Sequence, residues 1–297
     1  MKTSKKQFVI YLTIAFAVAY ILEIIGGVYK NNGNDMMFSL FMGLVMFVPL
    51  FSTIAVKASF REMGWKPRFK GNFKLIFFSL LIPAVCAILG AVIFYLIFPN
   101  AFDTDITSLA QAAGSDAYET MKAEGTTPLM LIITSEVAAA TYAPFMSALV
   151  TIGEETGWRG FMYPYLKEHF GKTKGRIIGG FIWGAWHWPV MLVCGYEYGK
   201  NYIGAPVLGL IVFCIFTIIA GILLDYVYEK SGTIWMAALL HGAINANNVF
   251  FYTTKEEYSH LSILGPTLIG IISGIPLLLI GIYISYIDVK KTDMLCK

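Results

Sequence analysis

Residues 75–98 have the sequence LIFFSLLIPAVCAILGAVIFYLIF, a run of 24 residues without a charged side chain. A helix rises about 1.5 Å per residue, so a run of this length can cross the roughly 30 Å hydrocarbon layer of a bilayer. The run is solidly apolar rather than alternating, which favours a transmembrane helix over a strand of a membrane barrel. This stretch therefore predicts an integral membrane protein.

Further apolar runs of bilayer length lie along the rest of the chain, at 8–29, 37–56, 129–153, 177–195, 203–224, 233–252 and 263–287. Over all 297 residues, 57% are hydrophobic and 14% are charged, against about 25% charged in an ordinary soluble domain. A conventional soluble enzyme is thereby excluded. We predict an all-α, polytopic membrane helical bundle of about eight transmembrane helices, which forms a single integral membrane domain over residues 1–297.

The positions of the basic residues predict the orientation of the bundle. With the N-terminus inside, 18 of the 22 Lys and Arg fall in inner segments, and the outer segments hold Lys30, Lys122, Lys200 and Lys255. By the positive-inside rule, both termini are predicted to be cytoplasmic. The location that fits is the cell membrane, as a multi-pass protein of a bacterial cytoplasmic membrane. The net charge of +3 gives no indication of a nucleic-acid partner.

The densest group of ionisable residues at membrane depth is GEETGWRG at 153–160. Glu155 and Arg159 are four residues apart, the spacing at which a helix forms a Glu-to-Arg ion pair. Glu154 points about 100° away around the helix and has no cation at that spacing. Glu154 is therefore the better candidate for a general base. The alternative is that both carboxylates are ordinary charges at a helix end.

Two further helices carry polar groups at similar depth. His187 lies within FIWGAWHWP at 181–189, about 16 Å beyond Arg176 along a helix. His241 and Asn245 are four residues apart on one helix face and could donate hydrogen bonds to an oxyanion. Each group, taken alone, could instead form hydrogen bonds between helices. Their joint presence with Glu154 supplies a base, an acid and donors, and so favours a hydrolytic site.

The three motifs follow a fixed order: EETGWR at 154–159, WGAWH at 183–187 and HGAIN at 241–245. Together they resemble the CAAX-protease and bacteriocin-processing family of intramembrane proteases, also called the Abi or type II CAAX prenyl endopeptidase family. The resemblance covers about residues 145–250. One departure is Trp183, which stands where the family more often has Phe.

The resemblance implies an intramembrane endopeptidase that acts on a peptide or protein substrate, either membrane-associated or lipidated. On the family pattern the catalytic positions are filled by Glu154 as the activator of water, His187 as an assisting group, and His241 and Asn245 as oxyanion donors. Glu155 and Arg159 would orient the helix of Glu154. Two histidines and one carboxylate (Glu154, His187 and His241) could also bind zinc, so metal-dependent and metal-free hydrolysis both remain open.

Two other functional classes remain open from the sequence. A proton-coupled transporter would use buried Glu and His groups as a relay, although no inverted repeat is present. A non-catalytic membrane immunity or scaffold protein could retain the motifs without activity. Glu23 and Glu136 lie in apolar runs outside the motifs, and we predict that they pair with each other or hydrate a cavity.

Overall fold

The computed structural model describes residues 3–105, 107–109 and 115–295, and these form an all-α bundle. The predicted fold class is confirmed. The helices are α1 (Lys5–Asn31), α2 (Asp35–Ala55), α3 (Phe73–Ile97), α4 (Ser115–Ala123), α5 (Pro128–Ala139), α6 (Ala143–Gly157), α7 (Tyr163–Phe170), α8 (Lys172–Trp186), α9 (Trp188–Cys194), α10 (Val207–Ser231), α11 (Ile234–Ala246) and α12 (Ile275–Leu295). A π-helical turn (Trp158–Met162) joins α6 to α7. Short 3₁₀ segments are Phe60–Met63, Pro99–Ala101, Val249–Tyr252 and Glu256–Leu261.

Within the described ranges, five helical segments are long and apolar enough to cross a membrane: α1, α2, α3, α10 and the stretch Lys172–Cys194 that contains α8 and α9. A sixth results if α5 and the stretch Ala143–Phe170, which meet at a 57° bend, form one broken span. The predicted count of eight is therefore not confirmed, and the orientation of the termini stays a prediction.

The last two apolar runs differ most from full-length spans. In the run 233–252, α11 ends at Ala246, and the side-chain amide of Asn247 donates to the Ala243 carbonyl at 2.6 Å. Such a local bond competes with the next backbone bond of a helix. In the run 263–287, the chain turns through Gly265-Pro266 and Gly270 and becomes helical at Ile275. Hydropathy alone does not detect these interruptions.

Helix α6 packs between α2 and α11, and glycines permit the close approach. A Cβ on Gly153 would lie 2.5 Å from the Met46 carbonyl oxygen of α2, and one on Gly242 of α11 would lie 2.6 Å from the Pro144 carbonyl oxygen. Small residues at such crossings let backbones pack tightly in membrane bundles. These contacts bring the helix of Glu154 against the helix of His241.

An ion-pair cluster joins α7, α8, α10 and α12 at one end of the bundle. Arg176 is 3% exposed and donates to Asp225 at 2.6 Å, to Asp288 at 2.7 Å and to Glu229 at 3.1 Å. Lys167 donates to Asp225 at 2.6 Å. Because basic and acidic groups alternate around Arg176, the buried charges are neutralised within the cluster.

Candidate active site

Glu154 lies inside a continuous helical segment rather than at the end of a span. The apolar run 129–153 is not one straight helix, because the chain bends between Ala139 and Ala143 and then stays helical through the π turn to Phe170. Pro144, in the first turn of α6, suits such a start because its missing N–H needs no partner there. The displaced start places Glu154 and Glu155 in the buried fourth and last full turn of α6. π-helical turns of this kind often occur at functional sites.

The carboxylate of Glu154 is held on one oxygen by two tryptophans. Its Oε2 accepts from the indole Nε1 of Trp158 at 3.0 Å and from that of Trp183 at 2.8 Å. The side chain is buried, with 2% of the residue exposed. Oε1 has no hydrogen-bond partner among the described residues, and it is not fully buried. Glu154 is thus a carboxylate that is fixed on one oxygen and unpaired on the other.

The predicted ion pair between Glu155 and Arg159 is present, at 3.0 Å between Oε1 and Nη1, and both side chains are fully buried. The same Oε1 of Glu155 lies 2.8 Å from Nδ1 of His241. The Arg159 guanidinium also lies over the rings of Tyr163 and Trp183, 4.6 and 4.9 Å from their centroids. Glu155 therefore orients both Arg159 and His241, a link between motifs that the sequence does not indicate.

His241 and Asn245 project from α11, and their free polar atoms reach accessible space. Because an ionised carboxylate only accepts hydrogen bonds, Nδ1 of His241 donates to Glu155. Nε2 is then the nitrogen without a hydrogen-bond partner among the described residues, and it is not fully buried. Asn245 is exposed. Because Nδ1 already carries a proton, His241 acts as an oxyanion donor only when Nε2 is protonated as well.

His187 lies at the junction of α8 and α9, where Pro189 begins the next short helix. The imidazole is enclosed by the rings of Trp186 at 4.9 Å, Phe213 at 5.4 Å and Tyr196 at 6.3 Å between centroids. Its Nδ1 lies 3.6 Å from Oε1 of Glu23, and its Nε2 is not occluded. The ring of Trp186 also contacts that of Trp158, a donor to Glu154, at 5.3 Å between centroids.

Glu23 and Glu136 do not pair with each other, so that alternative of the prediction is wrong. Glu23 is fully buried on α1, and its Oε2 accepts from the backbone N–H of Val190 at 3.3 Å. Both carboxylate oxygens of Glu136 on α5 are buried without a hydrogen-bond partner in the described part of the chain. Glu23 thus joins the surroundings of His187, whereas Glu136 has no assigned role.

Zinc binding by Glu154, His187 and His241 stays a prediction. Within residues 3–105, 107–109 and 115–295, no three His, Cys, Asp or Glu side chains are grouped so that they could hold one metal ion. Nδ1 of His241 lies against Glu155, and Nδ1 of His187 lies nearest to Glu23. A carboxylate on Nδ1 leaves Nε2 available and is also the usual partner of a metal-ligating histidine.

The comparisons with known proteins bear on this geometry. A family model described as type II CAAX prenyl endopeptidase Rce1-like matches residues 136–247. The predicted family resemblance is confirmed. The Rce1-like segment contains Glu154, His187, His241 and Asn245, whereas Glu23 lies outside it. A curated relative, "CAAX prenyl protease 2" of Methanococcus maripaludis, is 26% identical over 113 residues, which are 38% of this chain and 41% of the relative. The alignment thus spans less than half of either protein.

Proposed function

We propose that this multi-pass membrane protein is an intramembrane endopeptidase that hydrolyses a peptide bond with a water molecule activated by Glu154. The observation that carries the proposal is the state of that carboxylate, which is buried, fixed on Oε2 by two indole N–H groups and free on Oε1. A general base must be oriented and must reach the water from which it takes a proton. The match of this segment to a peptidase family supplies the reaction class.

In the proposed mechanism, Oε1 of Glu154 accepts a proton from water while the water oxygen attacks the substrate carbonyl carbon. The carbonyl π bond opens, and its electron pair becomes an oxyanion. Hydrogen bonds from Nε2–H of His241 and from the side-chain amide of Asn245 stabilise that charge. Collapse of the tetrahedral intermediate breaks the C–N bond, and the proton held by Glu154 passes to the leaving nitrogen. The products are a new carboxylic acid and a new amine.

His187 assists this reaction from a second helix. With the proton on Nδ1, its Nε2 carries a lone pair that accepts a hydrogen bond from the attacking water. Two acceptors, Oε1 of Glu154 and Nε2 of His187, then orient the water, and orientation of a reactant accounts for a large part of many enzymatic rate increases. No step in this scheme passes through a metal ion.

We propose a peptide or protein substrate that reaches the site from the membrane. The name of the curated relative includes a prenyl protease activity, so a prenylated C-terminal peptide is one candidate for this chain. An unmodified leader or precursor peptide is the other. The membrane is proposed to be a bacterial cytoplasmic membrane, with both termini on its inner side.

A peptide library tests this function and the need for a metal together. The purified chain in phospholipid vesicles is incubated with prenylated and unprenylated peptides, with and without a chelator, and the cleavage products are identified by mass spectrometry. We expect one substrate class to be cleaved at one bond, with equal rates with and without the chelator. The Glu154→Ala/His187→Ala double variant, purified in the same way, controls for contaminating proteases.

Two outcomes would overturn the proposal. Equal cleavage by the double variant would assign the activity to another protein. A non-catalytic scaffold or immunity protein would instead be favoured by two results together. No peptide would be cleaved, and the double variant would restore the phenotype of cells from which the gene had been deleted.

A further inference from the structure

We propose that Glu23 is a positioning residue for His187, which fixes the imidazole tautomer so that the Nε2 lone pair faces the attacking water. The catalytic consequence of this inference rests on the proposed function. The contact between Glu23 and His187 does not depend on that function. Glu23 lies on α1, outside the segment that matches the peptidase family. The active site would therefore extend to the first helix of the bundle.

Two unpaired atoms of complementary chemistry carry the proposal. Oε1 of Glu23 and Nδ1 of His187 are both occluded, and neither has a hydrogen-bond partner within the described residues. They lie 3.6 Å from each other. Buried polar atoms are nearly always paired, and these two need to approach by only a few tenths of an ångström to form a hydrogen bond. Catalytic hydrogen bonds are often long until substrate binds.

The other oxygen of Glu23 fixes where its carboxylate can lie. Oε2 accepts from the backbone N–H of Val190 at 3.3 Å, three residues beyond His187. One carboxylate thus contacts both the side chain at the junction of α8 and α9 and the backbone that follows it. Because the enclosing rings of Trp186 and Phe213 restrict the imidazole, rotation that would turn Nδ1 away from Glu23 is hindered.

The other charged groups that act on His187 are Glu154 and Glu197. Among the described residues, Glu23 is the carboxylate that lies within 4.0 Å of a ring nitrogen of His187. A carboxylate accepts and does not donate, so it selects the tautomer with the proton on Nδ1. An acid that orients a catalytic histidine through its second nitrogen is a recurring arrangement in hydrolases.

The first experiment measures the tautomer by ¹⁵N NMR of protein labelled at histidine, with the His187 signal assigned by its loss in His187→Gln. We expect a proton on Nδ1 in the wild-type protein and in Glu197→Gln, the matched control that removes a nearby charge without removing the contact. Glu23→Met, which replaces the carboxylate by the weak acceptor of a thioether, should give the other tautomer or a mixture. This measurement needs no turnover and so stands apart from the proposed peptidase activity.

The second experiment measures cleavage of the peptide substrate. We expect Glu23→Met to lower kcat by about 10- to 100-fold with little change in KM, and Glu23→Gln, which keeps an acceptor oxygen, to recover part of that loss. If Glu23→Met does not fold, the tautomer and kcat are measured in Glu23→Ala. A wild-type tautomer of His187 in the variant that lacks the side-chain oxygens, or a kcat equal to that of the wild-type enzyme, would overturn the proposal.

Discussion

Replacement of Glu155 by Gln is expected to destabilise the protein strongly, because it removes the anion that compensates a fully buried guanidinium. Arg159 is 0% exposed, and Glu155 is the carboxylate to which it bonds, at 3.0 Å. Removal of one partner from a buried ion pair costs about 3–5 kcal/mol. Gln keeps an acceptor, and the rings of Tyr163 and Trp183 still face the cation. We therefore expect a loss of about 3 kcal/mol, the lower end of that range.

The assay is equilibrium unfolding in mixed micelles, with Glu168→Gln as the matched control. Glu168 is exposed on α7, so the same substitution there should change the free energy of unfolding by less than about 0.5 kcal/mol. A Glu155→Gln/Arg159→Met double variant should recover most of the loss, because no uncompensated buried charge remains. A Glu155→Gln protein as stable as Glu168→Gln would show that the buried pair contributes little to the free energy of unfolding, contrary to this prediction.

Three further outcomes follow from the geometry. Gly153→Ala places a Cβ 2.5 Å from the Met46 carbonyl oxygen and should lower the unfolding midpoint. Gly43→Ala, whose Cβ meets no atom within 4 Å, should leave the midpoint unchanged. Equal midpoints for the two variants would contradict the close helix crossing. Asp225→Asn removes a 0%-exposed anion from between Lys167 and Arg176. It should lower the free energy of unfolding by about 2 kcal/mol in denaturant titrations. A stability equal to that of the wild type would show that the ion-pair cluster is dispensable. Asn245→Ala should reduce kcat by about 10²- to 10³-fold without a change in melting temperature; full activity in a steady-state assay would remove Asn245 from the oxyanion site.

The sequence was sufficient for the class of fold and for the ion pair within one helix. Apolar runs predict membrane helices because the bilayer requires about 20 apolar residues per span, and four-residue spacing predicts the Glu155–Arg159 pair because both residues share one helix. Span boundaries were less accessible. The bend before Ala143 and the early end of α11 at Ala246 occur inside continuous apolar runs, where a hydropathy pattern carries no signal.

Contacts between helices could not be predicted from the sequence, because the rotation of each helix about its axis is set by packing. The sequence singles out His241 and both glutamates, but not that His241 bonds to Glu155. Trp158 and Trp183 donate hydrogen bonds to Glu154, a role that the spacing of the motifs does not indicate. The rarity of charge at membrane depth was the one signal that pointed to Glu23, and it gave no partner.

The role of Glu154 as the group that activates water is tested most directly by the rate of peptide cleavage by Glu154→Gln. This rate is compared with that of the wild-type protein at equal concentration of folded protein. Gln keeps the oxygen that accepts from the two tryptophans but cannot take a proton from water. We predict a loss of about 10³-fold in kcat, with a melting temperature close to that of the wild-type protein. Cleavage at the wild-type rate by the folded variant would contradict the assignment of Glu154 as the group that activates water.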